Sequence, residues 1–433
     1  MVGRPYLLRM SAKKSLLDEL SWRGMIYQHT DGLPDALATE ELTAYVGFDP
    51  TASSLHLGHL VPVMGLAHLQ RAGHRPVALV GGGTGMIGDP SGKTAERQLL
   101  SEEEIEANAR AIEKQLSRFL DFTGPKAALM RDNAAWLRPL KAVEFMRDVG
   151  KHFTVNYMLA KDSVQSRLEG GISFTEFSYM LLQAYDFLEL FRRDGVTLQM
   201  GGSDQWGNIT AGMELIRRAE GKTAHALTMP LVTAASGAKF GKTEAGAVWL
   251  DPARTSPYKF YQYWINVDDR DAGRYLRLFT LMSRKEIEAL DKVIETAPEK
   301  REAQQALAGN VTAQVHGEEA ARVAEEVSGV LFGKADPTTL SESVLRALSE
   351  EVPYSESTEI PSLLDAMVAL KLAASKGAAR RLVEQGGVYL NGQRADADTD
   401  LASAKPLAGG YHLLRKGARD YGLVRAKSGR AVK

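Results

Sequence analysis

No cysteine occurs anywhere in the 433 residues. That one absence excludes a disulfide scaffold, a thiolate zinc site, an iron–sulfur cluster and a cysteine nucleophile. Membrane-length apolar runs are missing too. The N-terminal residues Met1 to Arg9 hold no signal-peptide core, and the uncharged stretch Thr51–Gln70 carries three histidines. The chain therefore reads as cytoplasmic, with no membrane partner. Net charge is almost nil: 53 Lys and Arg against 54 Asp and Glu leave −1, so any polyanion site has to be local. What is present is a 44% hydrophobic share, enough to fill a large core and to exclude a disordered chain. At roughly 150 residues per domain the length allows two or three domains.

Residues 15–35 read as a short helix and a turn. Ala44–Phe48 reads as a buried strand, about 55–72 as a helix and Arg75–Val80 as a second strand. Strand, helix and strand in so short a span make a βαβ unit and a parallel sheet. A glycine-rich loop, 81–92, precedes a helix opened by the capping box Ser101–Glu104. Thr197–Met200 reads as a further strand running into Gly201 to Gln205 and another helix. The pattern predicts an α/β, doubly wound, Rossmann-like parallel-sheet domain over 11–247, whose ligands sit at the carboxyl ends of the strands. Its last segment, 233–247, is a Ser/Gly/Ala-rich loop. An α-helical domain is expected over 248–333. Between 302 and 359 the net charge is −8, and from 361 to 433 it is +7. That reversal suggests a linker at 334–361 and a small basic α+β domain at 362–433, with two short helices and an Asn391-Gly392 hairpin. No internal repeat is visible.

Four segments carry chemistry. His56-Leu57-Gly58-His59 opens a helix after a strand and loop, where free N–H groups and two imidazoles suit phosphate oxygens; two solvated histidines are the bland alternative. Zinc fits poorly, since no third ligand lies nearby in sequence. Gly83-x-Gly85-x-x-Gly88 fits the dinucleotide fingerprint, but no acidic residue is evident at the end of a following strand. Gly88 to Thr94 is one residue short of a phosphate-binding P-loop. Within this loop Asp89 suits an ammonium, and Lys93 and Arg97 suit phosphate or carboxylate. Lys239-Phe240-Gly241-Lys242-Thr243 suits a flap closing on a polyphosphate, although a solvated loop is the commoner meaning of such a segment. Tyr179, Gln183 and Asp186 share one helix face, where a buried Asp needs a donor. Trp249, Tyr261 and Trp264 read as core.

Taken in order, these motifs resemble those of the bacterial-type tyrosyl-tRNA synthetases, a class I aminoacyl-tRNA synthetase family. Tyr45-x-Gly47-Phe48-Asp49-Pro50-Thr51, Gly88 to Lys93, Tyr179–Asp186 and Gly202-Ser203-Asp204-Gln205-Trp206 all stand in family order, and the likeness spans nearly the whole chain. The tail resembles an S4-type RNA-binding domain. The resemblance implies that Tyr45 and Asp186 bind the substrate phenol, and that Tyr179, Gln183 and Asp89 bind its ammonium. Asp204 would hold the ribose, with Gly47, Gly58 and Gly202 admitting the nucleotide close to backbone. Asp49 would offer its N–H to the α-phosphate and Gln205 would meet the reacting carboxylate. Thr51, His56, His59, Lys93, Arg97, Lys239, Lys242 and Thr243 would face the phosphates and leaving pyrophosphate. Lys376, Arg380 and Arg381 would meet tRNA.

The implied reaction is tyrosine activation by ATP followed by transfer to tRNA(Tyr). ATP enters as a substrate, Mg²⁺ is expected with it, and no tightly bound cofactor or protein metal site is expected. A homodimer is implied, with Phe174 at an interface position. The sequence departs from the general class I loop Lys-Met-Ser-Lys-Ser, and Val46 stands where some members have cysteine. Three rivals remain: a tryptophanyl-tRNA synthetase, a dinucleotide oxidoreductase using Gly83–Gly88, and a non-catalytic RNA-binding paralogue.

Overall fold

The computed structural model describes residues 15–91, 100–168, 170–237, 240–244, 246–333 and 335–426. Six strands build the larger sheet: β1 (Gln28–His29), β2 (Thr43–Phe48), β3 (Arg75–Val80), β4 (Leu129–Asp132), β5 (Val196–Gly202) and β6 (His225–Met229). Their order is β1-β6-β5-β2-β3-β4, parallel throughout except for β1 on β6. β2 and β3 read as nearly continuous apolar runs because a central parallel strand is covered on both faces. After β2 the chain winds outward to β3 and β4, then returns to lay β5 on the other side of β2. The sheet thus reverses its winding between β2 and β5, and ligands of such sheets collect at that point.

The expected helix at 55–72 begins differently. Leu57–His59 is one 3₁₀ turn, and the α-helix proper is Leu60–Arg71. The cause is local: His56 caps the turn, its Nδ1 accepting from Gly58 N while His56 N donates to His59 Nδ1, each at 3.1 Å. Helices Phe174–Asp194 and Trp206–Glu220 pack on one another and on β5, around a core containing Tyr45, Met180, Phe187 and Leu215. The capping box at Ser101 and Glu104 forms as expected.

The chain forms two compact units, one of Met1–Thr255 with Asn266–Leu307, the other of Ser256–Ile265 with Ala308–Lys433. This grouping differs from the expected domains. The helical stretch 248–333 is shared between both units, and 334–361 is not a bare linker. It carries a helix, Glu342–Ser349, and a strand that pairs with the tail. In the second unit Val344, Leu345 and Leu348 pack with Tyr411, Leu413 and Leu423. A charge reversal reports exposed side chains, whereas these apolar contacts decide where the chain is compact. Two short strands, β7 (Lys242–Thr243) and β8 (Gly246–Ala247), form a hairpin within the first unit. The second unit's sheet runs β11-β10-β12-β13-β9, from β9 (Tyr354–Ser357), β10 (Val388–Leu390), β11 (Gln393–Arg394), β12 (Tyr411–Lys416) and β13 (Asp420–Ala426). The Asn391-Gly392 turn joins β10 to β11 with both φ positive, as a tight hairpin requires. Among the described residues no helix is long and apolar enough to cross a membrane.

Candidate active site

At the β2/β5 reversal lies a cavity of about 480 Å³, a size suited to a small-molecule ligand. Its walls come from the carboxyl ends of β2 and β5, the 81–91 loop, the helix Phe174–Asp194 and the His56–His59 turn. Fourteen residues expected at the site line it: Tyr45, Gly47, Asp49, Thr51, His56, Gly58, His59, Asp89, Tyr179, Gln183, Asp186, Gly202, Asp204 and Gln205. Lys242 and Thr243 are exposed on the β7–β8 hairpin and are not among the lining residues, although Phe240 of the same segment is. Lys93, Arg97 and Lys239 lie outside the described residues.

At its base Asp186 is 2% exposed, so an exposed helix-end Asp is excluded. Its oxygens accept from Trp136 Nε1 at 2.7 Å and Asn133 Nδ2 at 2.9 Å. Burial pushes its carboxyl up to about 8; the two donors pull the other way, and Asp49 and Asp132 add repulsion. Beside it the Tyr45 hydroxyl is buried without a hydrogen-bond partner, and burial together with the Asp186 charge raises its pKa well above the usual phenol value. A buried orphan hydroxyl facing a carboxylate is costly alone and is satisfied by a ligand that both accepts and donates. Gln199, the cross-strand neighbour of Tyr45, also lines the cavity with an unpartnered buried carbonyl.

Higher in the cavity the carboxylates are networked. Tyr179 OH donates to Asp49 Oδ2 at 2.8 Å, and Thr84 Oγ1 donates to Asp49 Oδ1 at 2.8 Å. Burial, with Asp49 and Asp89 nearby, holds the Tyr179 phenol protonated far above neutrality. Gln205 Nε2 donates to Asp89 Oδ2 at 2.7 Å, and Gln183 Nε2 donates to Gln205 Oε1 at 3.3 Å. A Cβ on Gly202 would stand 2.5 Å from Asp204 Oδ1, so this glycine makes room for that carboxylate. A Cβ on Gly58 would stand 2.8 Å from the His56 ring. Because Nδ1 of both His56 and His59 accepts a backbone N–H, the neutral rings carry their protons on Nε2, as donors. Among the described residues no cluster of three or more His, Asp or Glu side chains could hold a metal.

The glycine-rich loop is not a dinucleotide cradle. Asn133 Oδ1 accepts from Gly83 N at 2.7 Å, and Asp132 Oδ1 accepts from Gly82 N at 3.1 Å. The strand after this loop, β4, does end on an acid, Asp132, contrary to expectation. Its carboxylate is occupied by Gly82 and Ala134 rather than offered to a ribose. Asn133, Trp136, Thr84 and Gln199 are the site residues that sequence reasoning missed. Asp132-Asn133 at the end of a short parallel strand was the one available signal for the first two.

Comparison with known proteins gives the family. Residues 37–333 match the family model described as tRNA synthetases class I (W and Y), and residues 345–424 match the tyrosine–tRNA ligase SYY-like C-terminal domain. A tyrosine–tRNA ligase of Roseiflexus castenholzii is 56% identical across 95% of this chain and 99% of its own. The chain belongs to the tyrosyl-tRNA synthetases. Another member of the family, from Geobacillus stearothermophilus, is 52% identical across 95% of this chain and 99% of its own. Among solved structures, a C-terminally truncated mitochondrial tyrosyl-tRNA synthetase of Aspergillus nidulans aligns with a TM-score of 0.68 at 29% identity, covering 74% of this chain and 95% of that one. A tryptophanyl-tRNA synthetase of Encephalitozoon cuniculi, covering 76% of this chain and 90% of its own with a TM-score of 0.52, is 16% identical and shares only the fold. Tyrosyl-tRNA synthetases use ATP to activate tyrosine and then charge tRNA.

Proposed function

We propose that this chain joins L-tyrosine to ATP, giving tyrosyl-adenylate and pyrophosphate, and then transfers the tyrosyl group to the 3′-terminal adenosine of tRNA(Tyr). The observation that carries the tyrosine specificity is the buried pair of Tyr45, with its orphan hydroxyl, and Asp186, held by Trp136 and Asn133. A phenol satisfies both, donating to Asp186 and accepting from Tyr45; phenylalanine leaves the Tyr45 hydroxyl without a partner and adds no donor to Asp186, and an indole N–H satisfies only one.

The remaining roles follow the cavity upward. Asp89, Tyr179 and Gln183 take the ammonium, Gln205 orients the carboxylate, and Asp204 takes the ribose hydroxyls beside Gly202 and Gly47. Asp49 offers its backbone N–H to the α-phosphate. The tyrosine carboxylate, already ionised, attacks the α-phosphorus in line as the bond to pyrophosphate breaks, so no protein base is required. Catalysis is then placement plus stabilisation of charge on phosphorus and the leaving group. Thr51, His56, His59, Lys93, Arg97, Lys239, Lys242 and Thr243 supply that stabilisation. Mg²⁺ would come bound to ATP and would add positive charge beside the phosphates. In the second step the terminal ribose hydroxyl of tRNA attacks the activated carbonyl and AMP leaves.

Lys376, Arg380 and Arg381, all exposed on the helix Lys376–Glu384, contact the tRNA backbone. The protein works in the cytoplasm as a homodimer; Phe174, 81% exposed at the start of its helix, supports an isologous apolar contact. ATP–pyrophosphate exchange with each of the common amino acids, without tRNA, tests the reading. Exchange with tyrosine alone is expected. Exchange with tryptophan would overturn the roles of Tyr45 and Asp186, and exchange with none would reject adenylate chemistry.

A further inference from the structure

The polyphosphate loop and the His56–His59 turn are far apart in sequence, yet one short segment ties them together. Leu57 N donates to Val248 O at 3.1 Å and Leu250 N donates to Leu55 O at 2.9 Å, bracketing an antiparallel bridge between His56 and Trp249. Val248 N in turn donates to Gly241 O at 2.9 Å, so the loop's own backbone continues this ladder. The imidazole of His56 meets the indole of Trp249 edge to face, with centroids 5.9 Å apart and planes at 70°. Trp249 is itself clamped. The Arg254 guanidinium lies 3.4 Å from its ring centroid, and Trp249 N donates to Thr255 Oγ1 at 3.0 Å. The turn that carries Arg254 is pinned where Asp251 N donates to Ser54 Oγ at 3.1 Å. Trp249 is half-buried and Arg254 exposed. Trp249 is not simply a core aromatic.

We propose that Trp249, braced by Arg254, is a positioning residue for His56 that fixes the orientation of its imidazole. The Gly58 N–H and the His59 ring hold His56 from its own turn. Trp249 meets it from the side of the 246–250 segment. The indole edge limits rotation of the imidazole, which lines the cavity. The inference rests on the adenylate-forming reading given above.

Single-turnover formation of tyrosyl-adenylate by the full chain tests this, with tyrosine affinity measured on the same samples by equilibrium dialysis. Trp249→Leu is expected to slow the step about 10- to 100-fold while tyrosine affinity stays within about twofold, because misplacement of one charge-stabilising group acts on the transition state. Trp249→Phe keeps an aromatic edge and is expected to stay within about threefold of the wild-type rate. In a His56→Asn background, Trp249→Leu is expected to cost less than about threefold, since the positioned ring is gone. An equal cost in both backgrounds, or an undiminished rate in Trp249→Leu, overturns the assignment. If Trp249→Leu does not fold, the exposed Arg254→Gln decides: a slowing of about 3- to 10-fold that vanishes with His56→Asn supports it, and an unchanged rate overturns it. A wild-type chain that forms no adenylate rejects the functional reading instead.

Discussion

Trp136 Nε1 donates to Asp186 Oδ1 at 2.7 Å, and both side chains are buried. With Asn133 on the other oxygen, the carboxyl is held by two neutral donors, and it forms no salt bridge with a cation among the described residues. An arginine there would keep Asp186 ionised but would occupy both oxygens in a fork. Neutral donors leave each oxygen able to accept once more, so a phenol O–H can donate there.

Tyr45→Phe removes a buried hydroxyl that lacks a partner. The ligand-free variant is expected to be more stable by about 1 kcal/mol in urea unfolding, because an unmet desolvation cost disappears. Its preference for tyrosine over phenylalanine in ATP–pyrophosphate exchange is expected to drop by about tenfold or more. A loss of stability would contradict this account of the pocket.

The raised carboxyl of Asp186 has a signature in stability. Folding lifts its pKa to about 8 from the ordinary carboxylate range, so between these values the folded chain binds more protons than the unfolded one. Its contribution is fully present below about pH 4, fades as pH rises and is lost above about pH 8, with a slope of at most about 1.4 kcal/mol per pH unit. Asp186→Asn abolishes the slope. Urea unfolding of both chains from about pH 5 to 8 is expected to show the wild type losing ground to the variant as pH rises.

Gly241 has φ +72°, and a Cβ there would stand 3.1 Å from Leu57 Cβ. Gly241→Ala combines backbone strain with pressure on the His56–His59 turn. Adenylate formation is expected to fall about tenfold or more with tyrosine affinity unchanged, since the phenol pocket lies at the other end of the cavity. Stopped-flow rates alongside equilibrium dialysis separate the two effects.

On the helix Lys376–Glu384 the three cations are not equivalent. Lys376 Nζ lies 2.6 Å from Asp365 Oδ1, whereas neither Arg380 nor Arg381 forms a salt bridge with an acidic side chain among the described residues. Replacing each by Gln is expected to weaken tRNA binding and to lower its salt slope by about one for each phosphate no longer neutralised, least for Lys376. Pyrophosphate exchange without tRNA is expected to be unaffected in all three. Filter binding at several salt concentrations measures the slopes.

The parallel sheet and the place of His56–His59 after a strand and loop were legible because local signals carry them: apolar runs, capping residues and loops that follow strands; the strand order and the 3₁₀ turn at Leu57–His59 were not. Family order placed fourteen of the lining residues, from Tyr45 to Gln205. The partners of Asp186 were not legible. Asn133 and Trp136 lie about 50 residues before Asp186 and reach it only because β4 stands beside β3 at the sheet edge. The 334–361 stretch misled for a related reason, since charge describes a surface and not the packing of Val344, Leu345 and Leu348.

By its residue types and their spacing, then, the sequence determined the fold class, the family and the kinds of group that meet tyrosine and ATP. Tertiary structure alone decided which of those groups are already engaged. Asp49 is held by Tyr179 and Thr84, Asp132 by Gly82, and His56 by Trp249. Hydrogen bonding and burial depend on distances between side chains remote in sequence, and a linear pattern does not encode those distances until the sheet has brought its strands together.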